Sequence, residues 1–419
     1  MGNRNELNLP TNEEILFLLN LDSAMIKKMK AGIKRTSYRA IINWITKYKV
    51  SPDASNLEKI KGLLESFYHL CEIEDWSAGE KILLISVGGL SESKLHKLLG
   101  FCGYYQLQIQ VCQKIINNSS PNSVAEFLNS LGLAYRNLGK YAQSIEYHTQ
   151  QLAHVREIGD RCAEGIAIGN LGVVYGSEGD FVRAIENFQQ CLIIEREIGD
   201  ARGEARTLVS LGISYDSLGD QHQAIKCYQQ TLPIVRKIGD REGEAYAMGN
   251  LGVAYEILGN YSQAIECHQQ HLIIAREIGH RRGEANALGN LGTANAKLEK
   301  YTQAIEYHQQ HLALAREISD RRGEAYALGN LGATYMKLNQ YSEALAKFQI
   351  SLDIFQDIGD RFSKAAMLKN LAETYCKLHH YKLAFDLCEQ ALTISTELAI
   401  PLVKECKDLL LNIKEFIIE

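Results

Sequence analysis

The sequence repeats itself with a period of 40 residues, and this period constrains the fold more than any other feature. A leucine recurs at that spacing from Leu131 to Leu371, and a glycine follows each of these leucines except Leu371. A second series places a leucine eight residues after an alanine, from Ala184 and Leu192 onward. Apolar residues at such spacings line one face of a helix, so each period predicts two amphipathic helices.

Glycine and aspartate mark the ends of the predicted helices. Gly179, Gly219 and Gly259 lie between the two helices of a repeat, where glycine adopts a positive φ without steric cost. Successive repeats are joined by Ile-Gly-Asp-Arg, as at 238–241, in which the glycine ends one helix and the aspartate caps the next. A glutamate then falls in or near the first turn, where the helix macrodipole favours an acidic side chain. These glutamates are Glu204, Glu244, Glu284 and Glu324.

Each predicted helix carries its own motif. The first helix has Leu-Gly-x-x-Tyr, as in Leu251 to Tyr255, and the second has Tyr-x-x-Ala-Ile, as in Tyr261 to Ile265. Together they resemble the tetratricopeptide repeat, although the repeat here is longer than the usual ~34 residues. The extra length and the Gly-Asp-Arg-x-Gly-Glu joint are similar to the extended repeats of kinesin light chain and of animal spindle-orientation adaptors. The resemblance covers 123–400 and implies an all-α, right-handed superhelical solenoid of helix-turn-helix repeats.

The repeat pattern weakens toward both ends of the chain. Gly103 to Tyr105 resembles Gly139 to Tyr141, which predicts degenerate helix pairs upstream. Pro401 favours a helix start, and a solenoid needs a last helix that covers its terminal apolar face. The predicted segments are a basic helical N-terminal region (1–61), two degenerate helix pairs (62–118), seven repeats (119–400) and a C-terminal capping helix (401–419).

The N-terminal region is strongly basic. From Lys27 to Lys49 there are eight basic side chains and no acidic one. Ile41, Trp44 and Ile45 supply apolar anchors, so we expect a helical segment rather than a disordered basic tail. The basic side chains form either the solvated face of a capping subdomain or a surface for nucleic acid, anionic lipid or an acidic partner, and the sequence leaves both open.

Composition narrows the class of protein. Only 5 of 419 residues are proline, which suits a largely helical chain because proline in a helix interior costs about 3 kcal/mol. No apolar run approaches the ~20 residues of a membrane span, and no secretory signal is evident. The ten cysteines form no Cys-x-x-Cys pair and fall at apolar helical positions. We therefore expect a cytoplasmic protein with reduced, buried cysteines.

Catalytic motifs are missing from the sequence. There is no phosphate-binding Gly-x-x-x-x-Gly-Lys-[Ser/Thr], no His-Glu-x-x-His and no Gly-x-Ser-x-Gly. Gly-Asn-Leu-Gly, as at 249–252, recurs in the first helix of four repeats, which indicates close helix packing rather than a phosphate loop. The sequence therefore predicts a protein that is not an enzyme and has no cofactor.

A histidine cluster is the one candidate metal site. His268 and His271 lie three residues apart on one helix, and His308 and His311 repeat the spacing one period later. Stacked repeats could bring these imidazoles together on a metal ion. However, His268 and His308 occupy the position at which other repeats have Phe188, Tyr228 and Phe348. We therefore predict that they pack as core side chains and that no metal is bound.

A column of asparagines is the main candidate binding surface. A step of 100° per residue places it about 100° from the core face of the first helix. The resemblance implies that this helix lines the concave wall and that groove asparagines hold the backbone of an extended peptide. The alternative is that these amides form hydrogen bonds between repeats. The column consists of Asn170, Asn250, Asn290, Asn330 and Asn370.

Neighbouring positions vary between repeats, as expected of a surface that sets specificity. Seven residues after the asparagines, three repeats carry a lysine, whereas Asp216 and Glu256 make the middle of the groove acidic. Tyr246 and Tyr326 are predicted to project from the first turn of the first helix as aromatic anchors, with Arg206 on the same stripe. An acidic part of a peptide would lie over the lysines, unless these form only a solvated face. The lysines are Lys297, Lys337 and Lys377.

These features predict a non-catalytic adaptor or scaffold that binds an extended peptide or a partner segment in the concave groove. The alternative is a regulatory sensor whose repeats bind a peptide or protein while the basic N-terminal region contacts nucleic acid or another effector. Bacterial peptide-sensing regulators built from helical repeats are similar in plan.

Overall fold

The computed structural model describes residues 7–51, 53–88 and 93–418. The chain forms two compact units, unit 1 (1–200) and unit 2 (201–419). No helix in the described ranges is long and apolar enough to cross a membrane. The helices of unit 1 are α1 (Asn12–Leu18), α2 (Ser23–Lys28), α3 (Ile33–Thr46), α4 (Asn56–Glu72), α5 (Trp76–Leu83), α6 (Leu95–Phe101), α7 (Tyr105–Ile115), α8 (Pro121–Asn137), α9 (Tyr141–Ile158), α10 (Arg161–Glu178) and α11 (Phe181–Ile198).

Unit 2 continues the helical repeats. Its helices are α12 (Ala201–Leu218), α13 (Gln221–Lys237), α14 (Arg241–Ile257), α15 (Tyr261–Glu277), α16 (Arg281–Lys297), α17 (Tyr301–Glu317), α18 (Arg321–Lys337), α19 (Tyr341–Asp357), α20 (Arg361–Lys377), α21 (Tyr381–Glu397) and α22 (Leu402–Ile418). The prediction of an all-α fold of helix-turn-helix repeats is confirmed. Helix α22 buries Cys406, Leu410 and Ile413 in the apolar cluster that it shares with α21.

The N-terminal helices pack into one continuous apolar core, which we call the N-terminal core (Ile15 to Ala134). It joins Ile41 of α3, Phe67 of α4 and Phe127 of α8, each fully buried. The basic segment is therefore folded against the helices that follow it. Helix α4 begins at Asn56, directly after a capping box at Ser55. Because it continues to Glu72, it crosses the predicted segment boundary between residues 61 and 62.

A short hairpin interrupts the helices between α5 and α6. Strands β1 (Ser86–Val87) and β2 (Ser93–Lys94) pair antiparallel, with Ser86 opposite Lys94, and Asn8 bridges to Gly88. The sequence analysis assigned only helix pairs to this segment and missed the hairpin. Two-residue strands carry no readable alternation of apolar and polar residues, and their pairing is fixed by contacts with the N-terminal core.

Glycine on the first helix of a repeat makes room for a large side chain on the second. A Cβ atom added at Gly172 would lie 2.7 Å from the ring of Phe188, and one at Gly332 would lie 2.7 Å from Phe348. His148, Tyr228, His268 and His308 face the equivalent glycines of their own repeats. The recurring glycine is therefore a close-packing residue, as the sequence predicted.

Buried glutamates tie the repeats of unit 2 together. Glu284 accepts a hydrogen bond from Arg276 Nε at 2.8 Å, at the end of α15, and one from Arg281 Nη1 at 2.7 Å. Arg281 also reaches Glu317 at the end of α17, at 2.5 Å. Glu244 and Glu324 hold the same arrangement in their own joints. Burial opposes ionisation of Glu324, but the hydrogen bonds from Arg316 and Arg321 hold its pKa below the ordinary value.

Candidate functional site

The first helices of the repeats form the inner wall of unit 2. Helices α12, α14, α16, α18 and α20 pack on one another in succession more closely than the second helices of the repeats do. Four of these five helices carry an asparagine of the column, whereas α12 has Ser210 at that position and Asn170 lies on α10 of unit 1. All five asparagines of that column are half-buried.

In unit 1 the asparagine is already paired. Asn170 donates from Nδ2 to Asn129 Oδ1 at 2.8 Å, which links α10 to α8. This is the hydrogen bond between repeats that the sequence analysis left open as the alternative role. Asn170 therefore has a structural partner that competes with any ligand.

In unit 2 the equivalent amide lacks that partner. Nδ2 of Asn250 is buried and makes no hydrogen bond to any described residue. The position that corresponds to Asn129 is Val209, which has no acceptor in its side chain. A buried amide nitrogen without an acceptor is costly, and Asn250 as a whole is half-buried rather than enclosed. The side chains of Asn290, Asn330 and Asn370 also make no hydrogen bond that involves other described residues.

The three lysines are exposed at the C-terminal ends of their helices. Lys297, Lys337 and Lys377 lie in the last turns of α16, α18 and α20, and none pairs with a described acidic side chain. Their charges favour those helix ends through the macrodipole, and they leave this stretch of the wall basic.

The acidic residues of the middle repeats are held by core side chains. Asp216 accepts a hydrogen bond from the hydroxyl of Tyr228 at 2.6 Å. Glu256 lies 3.1 Å from Nε2 of His268. Burial raises the pKa of the Asp216 carboxyl, although the bond from Tyr228 acts in the opposite direction. Both acids are thus engaged inside their own repeats rather than displayed along the wall.

The two tyrosines differ from each other. Both lie in the second turn of their helix, not in the first as the sequence analysis predicted, because α14 begins at Arg241 and α18 at Arg321. Tyr246 is 55% exposed. Tyr326 donates to or accepts from Ser363 at 3.0 Å and packs edge-on against Phe355, which ties it to the neighbouring helices.

Arg206 and Tyr246 line a cavity that the sequence analysis missed. The cavity has a volume of about 320 Å³ and lies between α12, α13 and α14. Its lining consists of Ala205, Arg206, Val209, Ser210, Ile213, Thr231, Val235, Asp240, Gly243 and Tyr246. Two substitutions in the repeat pattern signal it: Val209 replaces the glycine seen at Gly249, and Thr231 replaces the histidine seen at His271.

The histidines pack as core side chains. His268 and His308 are at most 1% exposed, and each faces the glycine of its repeat. Burial lowers the pKa of His308 to about 4, with His311 adding to the effect. Among the described residues no group of three or more His, Cys, Asp or Glu side chains is placed to hold a metal ion.

The basic residues of the N-terminal region lie on α2, α3 and the segments beside them. All except Arg35 are exposed, and none pairs with a described acidic side chain. Lys61 of α4 lies over the ring of Trp44, 5.8 Å from its centroid. This surface is therefore unneutralised and available to an anionic partner.

Comparison with known proteins places the repeats in a family. The family model described as tetratricopeptide repeat matches residues 123–194, 163–237, 240–317 and 323–397. No curated protein sequence matches this chain.

Several solved structures have a similar fold. The apo form of the quorum sensor NprR from B. thuringiensis is 16% identical, and the match covers 91% of this chain and 97% of that one with a TM-score of 0.57. Aspartyl phosphate phosphatase F from Bacillus subtilis is 13% identical, with 91% and 92% covered and a TM-score of 0.55. A signal transduction ATPase with a tetratricopeptide repeat sensor from Pyrococcus horikoshii is 15% identical, with 97% and 69% covered and a TM-score of 0.54. At these identities the similarity shows the fold alone.

Proposed function

The chain belongs to the tetratricopeptide repeat family, and we propose that it is a non-catalytic adaptor that holds an extended peptide segment of a partner protein against the inner wall of unit 2. The observation that carries the proposal is the buried Nδ2 of Asn250, which has no acceptor among the described residues. A rotation of the half-buried Asn250 side chain would bring this nitrogen to the surface. A peptide carbonyl is then a suitable acceptor, because its position does not depend on the side chains of the ligand. Asn290, Asn330 and Asn370 continue the same column.

The proposed ligand carries acidic side chains over the C-terminal part of the wall. Lys297, Lys337 and Lys377 repeat on three successive first helices, and no described acid neutralises them. An acidic segment would gain from all three at once, and the gain would fall as salt is added. We also propose that the adaptor is cytoplasmic, because its ten cysteines are all free and most are buried.

Affinity purification from the native host tests the proposal. The bait is the full chain, compared with the triple variant N250A/N290A/N330A and with the charge reversal K337E/K377E. We expect mass spectrometry to identify partners that both variants lose. The matched control is N170A, which removes an asparagine already bound to Asn129 and should keep those partners. Partners that persist on the triple variant would contradict the groove assignment.

A second candidate function is a regulatory sensor in which the basic N-terminal region acts on nucleic acid. The observation in its favour is the unneutralised surface of α2 and α3, which includes Lys27, Lys34 and Arg39. Its measurement is the binding of labelled double-stranded DNA by the full chain at several salt concentrations, with K34E/R39E as the variant. Salt-sensitive binding that the variant loses would favour the sensor over the adaptor.

A further inference from the structure

We propose that the cavity between α12, α13 and α14 is the anchor pocket of the peptide groove and takes an apolar side chain that has an acidic residue beside it. The proposal rests on the proposed function, because it assigns one part of that groove its ligand chemistry. We call this cavity the anchor pocket.

The anchor pocket arises where one repeat departs from its neighbours. In the next two repeats a histidine of the second helix fills the space above a glycine of the first: an added Cβ at Gly249 would lie 3.0 Å from His271, and one at Gly289 would lie 3.0 Å from His311. Val209 and Thr231 hold these positions in the repeat of α12 and α13. Thr231 is too short to fill the space of an imidazole, and about 320 Å³ stays open.

Val209 also offers no acceptor to the amide of Asn250. In unit 1, Asn129 accepts a hydrogen bond from Asn170. Val209 holds the same position relative to Asn250 that Asn129 holds relative to Asn170. Val209 therefore supplies an apolar wall to the pocket and offers no acceptor to the buried amide nitrogen on the next first helix. A peptide residue that placed its side chain in the pocket and its carbonyl near Asn250 would satisfy both features.

Three polar side chains that line the pocket, Ser210, Thr231 and Asp240, already make hydrogen bonds within the chain. The Thr231 hydroxyl donates to the carbonyl of Cys227 at 3.0 Å, and the Ser210 hydroxyl donates to the carbonyl of Arg206 at 3.1 Å. The carboxylate of Asp240 accepts from the backbone N–H of Gly243 at 2.8 Å. A side chain with its own polar atom would have to compete with these bonds, so Leu, Ile, Met or Phe suits the pocket better than Tyr, Gln or Ser.

The rim of the pocket supplies a positive charge. Arg206 is exposed and pairs with no described acidic side chain, and Tyr246 beside it is 55% exposed. A guanidinium binds a carboxylate through two parallel hydrogen bonds. An Asp or Glu next to the apolar residue of the ligand would reach Arg206 while the apolar side chain filled the pocket.

A random dodecapeptide library displayed on phage is the probe. It is selected against the full chain and against V209G/T231H, which rebuilds in this repeat the glycine and histidine of the next two repeats and so fills the pocket. We expect the wild type to select peptides with an apolar residue flanked by Asp or Glu. The double variant should lose the apolar preference and bind a fluorescently labelled wild-type consensus peptide about tenfold or more weakly.

Two further variants separate the parts of the proposal. R206E should lose the acidic preference beside the apolar residue. V209N gives Asn250 an internal partner and should weaken the consensus peptide without loss of helical content by circular dichroism. If the double variant does not fold, these two single variants decide the result.

The outcomes distinguish the pocket from the groove. Peptides that bind the wild type, V209G/T231H, R206E and V209N equally well would overturn the anchor pocket and leave the adaptor function standing. A preference for polar residues at the anchored position would also overturn it. If the wild type selects no peptide, the proposed function itself fails.

Discussion

The N-terminal core and the repeats of unit 2 are both stacks of helices, yet different interactions hold them together. The N-terminal core is one continuous apolar cluster that runs from Ile15 to Ala134. Unit 2 divides its buried apolar residues into separate small clusters, such as those around Leu251 and around Leu288. Between its repeats lie the buried glutamates, each held by two arginines.

The difference shows where each region is vulnerable. A single core concentrates stability in large shared side chains, so one cavity affects many helices at once. A repeat array depends on nearest-neighbour interfaces, so damage stays near one joint. The two tryptophans, Trp44 and Trp76, both lie in unit 1, so their fluorescence reports on the N-terminal core while circular dichroism at 222 nm reports on all helices.

The largest effect is expected in the N-terminal core. Replacement of Phe67 by alanine removes a fully buried ring and should lower the free energy of unfolding by about 3–5 kcal/mol. Urea unfolding followed by tryptophan fluorescence measures it. The control is F17A, because Phe17 is 85% exposed and its loss should change little. Equal shifts for both variants would contradict a shared core.

Acid should weaken unit 2 through its buried histidines. The pKa of His308 is about 4 in the folded chain and about 6.5 in an unfolded one, so the unfolded state binds more protons between those values. The contribution of His308 to the free energy of unfolding is therefore fully present above pH 6.5. It falls as the pH drops toward 4, by about 2–3 kcal/mol at pH 4.5.

The matched variant is H308F, because Phe348 holds the same position one repeat later. It should flatten the pH dependence of urea unfolding measured by circular dichroism and leave the tryptophan transition unchanged. If the variant and the wild type lose stability in parallel as the pH falls, His308 is not the group that titrates.

Removal of one joint glutamate should have a smaller and local effect. E284A leaves Arg276 and Arg281 without their shared carboxylate, and both arginines are about half exposed, so we expect a cost of about 1–2 kcal/mol. Hydrogen exchange measured by mass spectrometry should speed up at the start of α16 and stay unchanged in α4. E277Q, at an exposed carboxylate of the neighbouring joint, is the control and should cost less than about 0.5 kcal/mol.

The smallest expected effect is the difference in stability between variants of Asn170 and Asn250. N170A breaks the bond to Asn129 and should cost about 1 kcal/mol, because Asn129 keeps an unpaired half-buried oxygen. N250A removes an amide that has no partner and should be neutral or slightly stabilising. Thermal unfolding of both variants measures the difference. A larger cost for N250A than for N170A would reveal an internal role for Asn250.

The regular part of the chain could be predicted well from the sequence. Helix α22 (Leu402–Ile418) lies within the segment 401–419 for which the sequence predicts a capping helix, and Gly179 ends α10 with a φ of 91°. For the candidate site, the sequence predicted only which residues share one face of the first helices, not which of them have hydrogen-bond partners. That Asn170 is paired and Asn250 is not depends on the residue 41 positions earlier, which becomes a neighbour only when two repeats stack.

The joint glutamates illustrate the same limit. The sequence analysis assigned Glu284 to the helix macrodipole, whereas the folded chain buries it between two arginines. The signal was present, since an arginine precedes the glutamate by eight residues in Arg236 and Glu244 as well as in Arg276 and Glu284. An eight-residue separation across a helix end, however, gives no distance until the angle between the two helices is known.

The sequence by itself determined the repeat, because helix periodicity, glycine stops and aspartate caps act over a few residues and are written locally. Tertiary structure alone decided which polar groups are satisfied and where space remains. Burial, cavities and hydrogen-bond partners depend on how helices that are distant along the chain pack together. Val209 and Thr231, which stand where other repeats have Gly and His, open a pocket only because α12, α13 and α14 pack side by side.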